Sequence, residues 1–254
     1  AGAALLPLAT GQQAQALTAE ELAAVQLFRR TSPSVLTISD AAQARGSLSD
    51  FTALGSGFAW DQNHVVTTAS TVDKIDRPQV TILDTAPDGS VRRRVLNSAV
   101  VGVDHASNVA VLWVDVDMKP LHRGSGADLK PGQDVYALGN PYGLEHSFSK
   151  GVVSGLSRTL VTESGRPITG VIQTDASINP GNNGGPLLDS TGAVVGVNNA
   201  ILSLSGASSG VGLAVPIETV ERSVTSVITR GNVRGPSMGI VLAQDALSQG
   251  LGID

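Results

Sequence analysis

The chain has 254 residues, which suits one large domain or two small ones, and 41% of the residues are hydrophobic against 15% charged. This composition is typical of a globular protein and excludes an extensively disordered one. The formal net charge of −5 argues against nucleic acid or an acidic membrane surface as the main partner.

The first predicted element after the amino terminus is an amphipathic helix. Residues 1–17 are Ala-rich and lack the basic flank and long apolar core of a secretory signal, so we predict a flexible segment, either a mature terminus or the remnant of a removed targeting segment. Thr18 followed by Glu21 matches a capping box. Leu22, Val25 and Phe28 then follow at helical spacing, and Pro33 is expected to stop the helix.

Two groups of short strands fill the middle of the chain and are separated by a break near residues 121–132. The predicted strands of the first group are Ser34–Ser39, Gly57–Trp60, His64–Thr67, Val80–Leu83 and Val109–Val114; those of the second are Asp134–Leu138, Lys150–Gly155, Gly170–Thr174, Gly192–Val197 and Gly210–Val215. The frequent glycines between them favour tight turns. This pattern predicts an all-β protein with two packed barrels or sandwiches.

A second helix and a short tail complete the predicted elements. Pro216 begins the helix, Gly231 ends it, and Ile217, Val220, Val224, Val227 and Ile228 are expected to share one face. We therefore assign residues 18–120 to the first helix and strand group, and residues 121–232 to the second group and its helix. Residues 233–254 are too few for an independent domain.

Composition also narrows the possible chemistry. The chain has no cysteine, which excludes disulfides, thiolate catalysis and cysteine-ligated zinc. Its four histidines are His64, His105, His122 and His146, and none stands at metal-ligand spacing, so we expect no metal and no other cofactor. No apolar stretch reaches the roughly 20 residues of a transmembrane helix. The basic run at residues 92–94 is expected on a solvated strand.

Three well-separated segments resemble the HtrA (Deg, Do-like) family of trypsin-like serine proteases. Residues 174–189 read TDASINPGNNGGPLLD and are similar to the family's nucleophile loop, with Asn183 at the serine position. Residues 55–71 resemble the strand pair that leads to the catalytic histidine, whose position is Ser70. Residues 101–112 resemble the segment of the catalytic aspartate, whose position is Asn108. Lesser matches lie at residues 137–144, 151–155 and 206–217.

This resemblance, which is greatest to chloroplast and cyanobacterial members, implies a definite fold. It predicts two six-stranded antiparallel β-barrels of trypsin type, with an amino-terminal and a carboxy-terminal helix. In such relatives residues 233–254 would be a linker and the start of a PDZ domain; the alternative is a tail that packs on the barrels. Members of this family form trimers through the segment around the amino-terminal helix. The resemblance therefore makes Leu22, Val25, Leu27 and Phe28 candidates for an oligomer interface or for the core.

The residues at the three triad positions argue against catalysis. An amide at Asn183 is not a useful nucleophile, the Ser70 hydroxyl is not basic enough to take a proton near neutral pH, and Asn108 cannot stabilise an imidazolium. His64 and His105 are the candidates for a substitute base, and both are predicted to be solvated or locally hydrogen-bonded. Gly181, Asn182 and Asn183 are predicted to be the remnant of an oxyanion hole.

The sequence therefore predicts a catalytically inactive homologue that acts as a scaffold or regulatory subunit, as a homotrimer or together with active relatives. The alternatives are a chaperone-like binder of unfolded chains and an endopeptidase with residual activity. By resemblance the expected compartment is the chloroplast, with the thylakoid lumen as the site within it, and the alternative is the bacterial periplasm.

Overall fold

The computed structural model describes residues 17–41, 53–85, 91–140, 146–161, 167–179, 181–199 and 210–231. The predictions for residues 1–16 and 233–254 lie outside these ranges. In chain order the helices are α1 (Ala19–Thr31), α2 (Ala69–Val72) and α3 (Ile217–Arg230), and a 3₁₀ turn (Ser32–Ser34) follows α1 directly.

Twelve strands lie within the described ranges and form two closed antiparallel barrels of six strands each. They are β1 (Val35–Asp40), β2 (Ala53–Ala59), β3 (His64–Thr67), β4 (Pro78–Thr85), β5 (Val91–Asp104), β6 (Val109–Val114), β7 (Asp134–Gly139), β8 (Ser147–Val161), β9 (Pro167–Thr174), β10 (Pro186–Asp189), β11 (Val194–Asn199) and β12 (Gly212–Pro216). The first barrel has the strand order β1-β2-β3-β6-β5-β4, and the second has β10-β11-β12-β9-β8-β7. The predicted fold class, two six-stranded antiparallel barrels with a helix near each end, is confirmed.

Each barrel has its own apolar interior, and a third cluster lies between the barrels and the helices. Leu36, Ile38 and Leu112 belong to the first interior, and Ile172 and Leu187 belong to the second. The third cluster joins α1, α3 and strands of both barrels. Because this shared cluster is buried, the surfaces where the barrels meet are fixed relative to each other.

Helix α1 begins with the predicted capping box. The Glu21 amide donates to Thr18 Oγ1, and the Thr18 amide donates to the Glu21 carboxylate in return. The hydrogen bond from the Thr18 amide to the Glu21 carboxylate, together with a smaller effect of the Thr18 side chain, holds the pKa of Glu21 below its ordinary value. Phe28 packs edge-on against Phe148 of β8, and the Lys150 ammonium bonds the Glu20 carboxylate. The helix is therefore held against the second barrel.

Helix α3 begins after Pro216 and ends at Gly231, whose φ of 71° is the left-handed geometry that glycine supplies at a helix end. It packs so closely on β5 that a Cβ added at Gly102 would lie 2.9 Å from Val227 Cγ1. The predicted apolar face is buried at Ile217, Val220, Val224 and Val227, whereas Ile228 in the last turn is 38% exposed. Ser223 is buried on that face instead, and its hydroxyl donates to Asp104 Oδ2 at 2.6 Å.

Candidate active site

Ser70 and Asn108 come from separate segments and meet where the two barrels face each other. Ser70 lies in the first turn of α2, just after β3, and Asn108 lies in the turn between β5 and β6. The Ser70 amide donates to Asn108 Oδ1 at 2.9 Å, and Asn108 Nδ2 lies 3.4 Å from Ser70 Oγ. Ser70 and Asn108, which are 38 residues apart in the sequence, are therefore in direct contact in the structure.

Asn108 is held by backbone geometry as well as by its side chain. Its φ of 53° is left-handed, a region that Asn and Asp enter more readily than other residues with a side chain. Its carbonyl accepts from the Ala69 amide at 3.3 Å, and its side chain is buried. The turn therefore presents the carboxamide of Asn108 to α2 in a fixed direction.

The second barrel supplies a third polar group to this pair. Asn108 Nδ2 donates to Asn199 Oδ1 at 3.3 Å, at the end of β11. Asn199 is 1% exposed, and its Nδ2 has no hydrogen-bond partner among the described residues. A buried donor without an acceptor costs free energy, on the order of 1–3 kcal/mol. The cluster of Ser70, Asn108 and Asn199 contains no group that titrates near neutral pH.

Asn183 lies in the loop before β10 and contacts β2. Its carbonyl accepts from the Ser56 amide at 2.7 Å. A Cβ added at Gly55 would be 2.6 Å from Thr71 Oγ1 and 3.1 Å from the Asn183 carbonyl oxygen. Only glycine therefore fits at position 55, and its absent side chain allows the loop of Asn183 to approach the helix of Ser70.

The loop of residues 181–185 is wedged between the barrels, which explains two of its glycines. Gly184 has a φ of 83°, and a Cβ there would lie 2.3 Å from the Ser56 carbonyl oxygen. A Cβ at Gly185 would lie 2.2 Å from the Leu138 carbonyl oxygen. Both contacts are with protein backbone, so packing alone requires these glycines.

Several backbone amides of this loop are engaged within the protein. The Asn182 amide donates to the Asn179 carbonyl, the Gly184 amide to the Asn198 carbonyl and the Gly185 amide to the Asn182 carbonyl, each at 2.9 Å. Of the three residues predicted to form an oxyanion-hole remnant, Asn182 therefore has its amide occupied. Gly181 has a φ of 101°, and its carbonyl accepts from Ser56.

Ser56 connects this loop to both barrels, and the sequence analysis did not single it out. Its hydroxyl donates to the Gly181 carbonyl at 2.6 Å and accepts from the Asn140 amide at 2.8 Å. Asn140 Nδ2 in turn donates to Thr37 Oγ1 at 2.6 Å. Ser56 stands between two glycines in the segment that resembles the family, but nothing in that pattern indicates a link between barrels. Asn199 was missed for the same reason.

The two histidines considered as substitute bases each pair with a nearby carboxylate. His64 Nδ1 lies 2.8 Å from Asp61 Oδ2. His64 is the first residue of β3 and Thr67 is the last, so at about 3.3 Å per residue the strand separates the two by about 10 Å. His105 Nδ1 lies 3.5 Å from Asp73 Oδ2 on the surface. Burial alone would raise the pKa of Asp61, but hydrogen bonds from Asn63 and His64 outweigh it and hold the pKa below its ordinary value.

The four residues predicted for an oligomer interface or for the core differ in exposure. Leu22 is 46% exposed, while Leu27 is 2% exposed and belongs to the cluster between the barrels. Val25 is half-buried. Phe28 packs on Phe148 within the same subunit. Leu22 alone of the four presents a large apolar surface to solvent.

Two further observations concern ions and membranes. Among the described residues, no group of three or more His, Cys, Asp or Glu side chains could hold a metal ion. None of the described helices has the length and apolarity that a membrane-crossing helix requires.

Comparison with known proteins first defines the class. The Trypsin-like peptidase domain matches residues 55–197, which run from β2 through the loop of Asn183 to β11. This range includes Ser70, Asn108 and Asn183.

The relatives then define the family. The chain is 42% identical over 247 residues to Protease Do-like 1, chloroplastic, of Arabidopsis thaliana, covering 93% of this chain and 54% of that protein. It is 39% identical over 225 residues to Protease Do-like 5, chloroplastic, of the same plant, covering 82% and 70%. The crystal structure of Deg5 superposes with a TM-score of 0.70 at 38% identity, covering 85% of this chain and 99% of that one. The protein belongs to the Deg/HtrA (Do-like) family of serine proteases, and spans about half the length of the first of these relatives.

Proposed function

We propose that this protein is a catalytically inactive member of the Deg/HtrA family that acts as a scaffold or regulatory subunit in a protein complex. The observation that carries the proposal is the contact between Ser70 and Asn108. Resemblance assigns these positions to the catalytic base and to the residue that orients it, and their backbone and side-chain bonds are those expected if the positions are correctly assigned. This contact supports the proposal that the framework of a triad is kept while its titratable groups are gone.

The chemistry of the three side chains supports this reading. A serine hydroxyl at position 70 cannot act as a general base near neutral pH, because the base must have a pKa near that of the medium. Asn108 offers an uncharged carboxamide where acyl transfer uses a carboxylate to stabilise the imidazolium. Asn183 has no hydroxyl or thiol to form an acyl intermediate. The loss of all three functions together favours a non-catalytic role.

We further propose that the protein assembles through the amino-terminal helix, as a homotrimer or beside an active relative. Leu22 supports this proposal because it projects a large apolar side chain from a helix that is otherwise held against the second barrel. The names of the relatives reported above support the chloroplast as the compartment. The thylakoid lumen as the site within it is part of the proposal, and the bacterial periplasm is the alternative.

Hydrolysis and active-site labelling test the proposed inactivity. The purified protein should cleave an unfolded protein substrate no faster than background and should not react with a serine-directed fluorophosphonate. Stoichiometric labelling of a serine near the loop of Asn183, with matching proteolysis, would instead show an endopeptidase with residual activity. Tight binding of the unfolded substrate without cleavage, at nanomolar to micromolar affinity, would support a chaperone-like binder over a scaffold.

Light scattering tests the proposed assembly. The wild-type protein should be oligomeric at micromolar concentration, alone or mixed with an active relative, and Leu22→Asp should dissociate it. Ala23→Asp is the matched control because Ala23 is exposed on the same helix and receives the same charge. A wild-type protein that remains monomeric and captures no relative would contradict the proposal.

A further inference from the structure

A small cavity outside the candidate active site lies where three separate parts of the chain meet. Its volume is about 240 Å³, and its walls come from the end of α1, from the connection between the barrels and from the turn between β10 and β11. The residues that decide its chemistry are Arg30, Ser34, Lys119, His122 and Gly192. Its lining residues, all described, include no Asp or Glu, although the chain as a whole carries a net charge of −5.

Arg30 is anchored at one wall of this cavity. Its Nη2 donates to the Thr191 carbonyl at 2.7 Å. A Cβ added at Gly192 would lie 3.0 Å from the same nitrogen, so glycine makes room for the guanidinium. A guanidinium has five N–H donors, and one bond to a carbonyl leaves others for a ligand. The bond therefore positions the charge without using up its donors.

Ser34 supplies an independent sign that a ligand belongs here. It lines the cavity and is 2% exposed, and its Oγ has no hydrogen-bond partner among the described residues. Buried hydroxyls nearly always have a partner, and leaving one unpaired is costly. An acceptor atom bound in the cavity beside Ser34 would satisfy this hydroxyl.

Two nearby groups of negative character already accept hydrogen bonds within the protein. The Asp189 carboxylate accepts from the Thr191 amide and hydroxyl and from the Ala193 amide, all within the turn. The carboxyl end of α1 would disfavour an anion through the helix dipole. There the Thr31 hydroxyl and the Ser32 amide donate to the carbonyls of Leu27 and Phe28, which reduces that effect.

From these observations we propose that the cavity bounded by Arg30, Ser34 and Lys119 binds a small oxyanion, the phosphoryl or carboxylate group of a small molecule. The guanidinium and the ammonium supply charge-assisted hydrogen bonds, which are the stronger class, and the Ser34 hydroxyl supplies a neutral one. His122 also lines the cavity. This site is independent of the proposed loss of protease activity.

The size of the cavity limits the ligand. A water molecule takes about 30 Å³ of liquid, so the cavity has room for an oxyanion with a small organic group and not for a peptide segment. The volume of the cavity is below the range of about 300–1,000 Å³ that is usual for pockets binding drug-sized ligands. The phosphoryl and carboxylate classes share the same recognition chemistry, and separate probes distinguish them.

Titration of the full chain with inorganic phosphate and, separately, with acetate tests the proposal. At least one anion should bind saturably by calorimetry at concentrations below about 10 mM, a range that corresponds to weak but specific binding. In ¹H–¹⁵N NMR spectra the amides of residues 30–34, 119–122 and 191–193 should shift together. Saturation by phosphate alone would identify a phosphoryl ligand, and saturation by acetate would identify a carboxylate.

Matched variants show whether the cavity is the site. Lys119→Gln should weaken binding by about tenfold or more, the effect expected for losing one charge-assisted bond, and Ser34→Ala by a smaller factor. Arg29→Gln removes the same charge from an exposed neighbour outside the cavity and should change affinity by less than about twofold, because exposed charges interact weakly. The proposal is overturned if neither anion saturates, or if Arg29→Gln weakens binding as much as Lys119→Gln.

Discussion

The backbone amide of Ser70 donates to the side-chain oxygen of Asn108 at 2.9 Å, which joins the first turn of α2 to the turn before β6. These two positions are the ones that resemblance assigns to a catalytic histidine and its aspartate. Their contact supports this assignment, because a histidine side chain at position 70 would begin next to the side chain of residue 108. Four predictions test the account of the fold and of this site.

Removal of the Ser56 hydroxyl should destabilise the junction between the barrels. Ser56→Ala leaves the Gly181 carbonyl without its donor and the Asn140 amide without its acceptor, and both bonds are buried. We expect the free energy of unfolding to fall by about 2 to 4 kcal/mol in urea denaturation. The half-buried Ser39 of β1 is the control, and Ser39→Ala should change the same quantity by less than about 0.5 kcal/mol. Equal small effects would show that the bridge contributes little.

The docking of α3 should depend on Ser223. Ser223→Ala removes the 2.6 Å hydrogen bond to the buried Asp104 carboxylate, which would keep only the amides of Ala106 and Ser107 as donors among the described contacts. Hydrogen bonds to charged groups are worth about 1.5–3 kcal/mol, and we expect a loss of that order in the free energy of unfolding. Thr225→Ala, on the exposed side of the same helix, is the matched control. A loss no larger than that of the control would contradict the assigned role.

Asp61 should contribute to stability in a defined pH window. Its folded pKa is lowered from the ordinary value, because hydrogen bonds from Asn63 and His64 outweigh the effect of burial. The lowered pKa means that the ionised form is favoured by folding, so this contribution is present above the unfolded pKa of about 3.9 and is lost as pH falls through the folded value. Thermal unfolding should show wild type more stable than Asp61→Asn at neutral pH, with the difference vanishing in acid. A difference that grows in acid would contradict this sign.

Local chemistry in the sequence was enough to predict much of the fold. The capping box at Thr18 and the glycine at position 231 both act on residues close to them in the sequence. The start of α1 and the end of α3 were therefore predicted correctly. Strand β5 was not among the predicted strands, although the basic run at residues 92–94 was expected on a solvated strand, because residues 92–95 are all exposed and show no apolar alternation. Strand β10 was not predicted either, because it has four residues and begins at a proline directly after the glycine loop.

Resemblance anticipated the proximity of Ser70 and Asn108 but not the contacts that support them. Resemblance placed Ser70 and Asn108 at related positions, and the structure brings these two side chains together. The bridging role of Ser56 and the buried amide of Asn199 depend on contacts 125 and 91 residues apart in the chain, for which single-sequence patterns carry no signal.

Rebuilding the triad tests the assignment of all three positions. Asn183→Ser alone should stay inactive, because a serine without a base remains protonated and triad residues act as a unit. The triple variant Ser70→His, Asn108→Asp, Asn183→Ser should regain cleavage. An aspartate tolerates the left-handed backbone at 108, and the unpaired Nδ2 of Asn199 could donate to its carboxylate after a turn of the amide.

The most direct measurement is hydrolysis of an unfolded protein substrate by wild type, Asn183→Ser and the triple variant side by side. The account predicts background rates for the first two and at least about a 10²-fold gain for the triple variant, since a positioned general base is worth about 10²–10⁴. Robust proteolysis by Asn183→Ser alone would contradict it, because a base such as His64 or His105 would then already be in place and Ser70 would not occupy the position of the catalytic histidine.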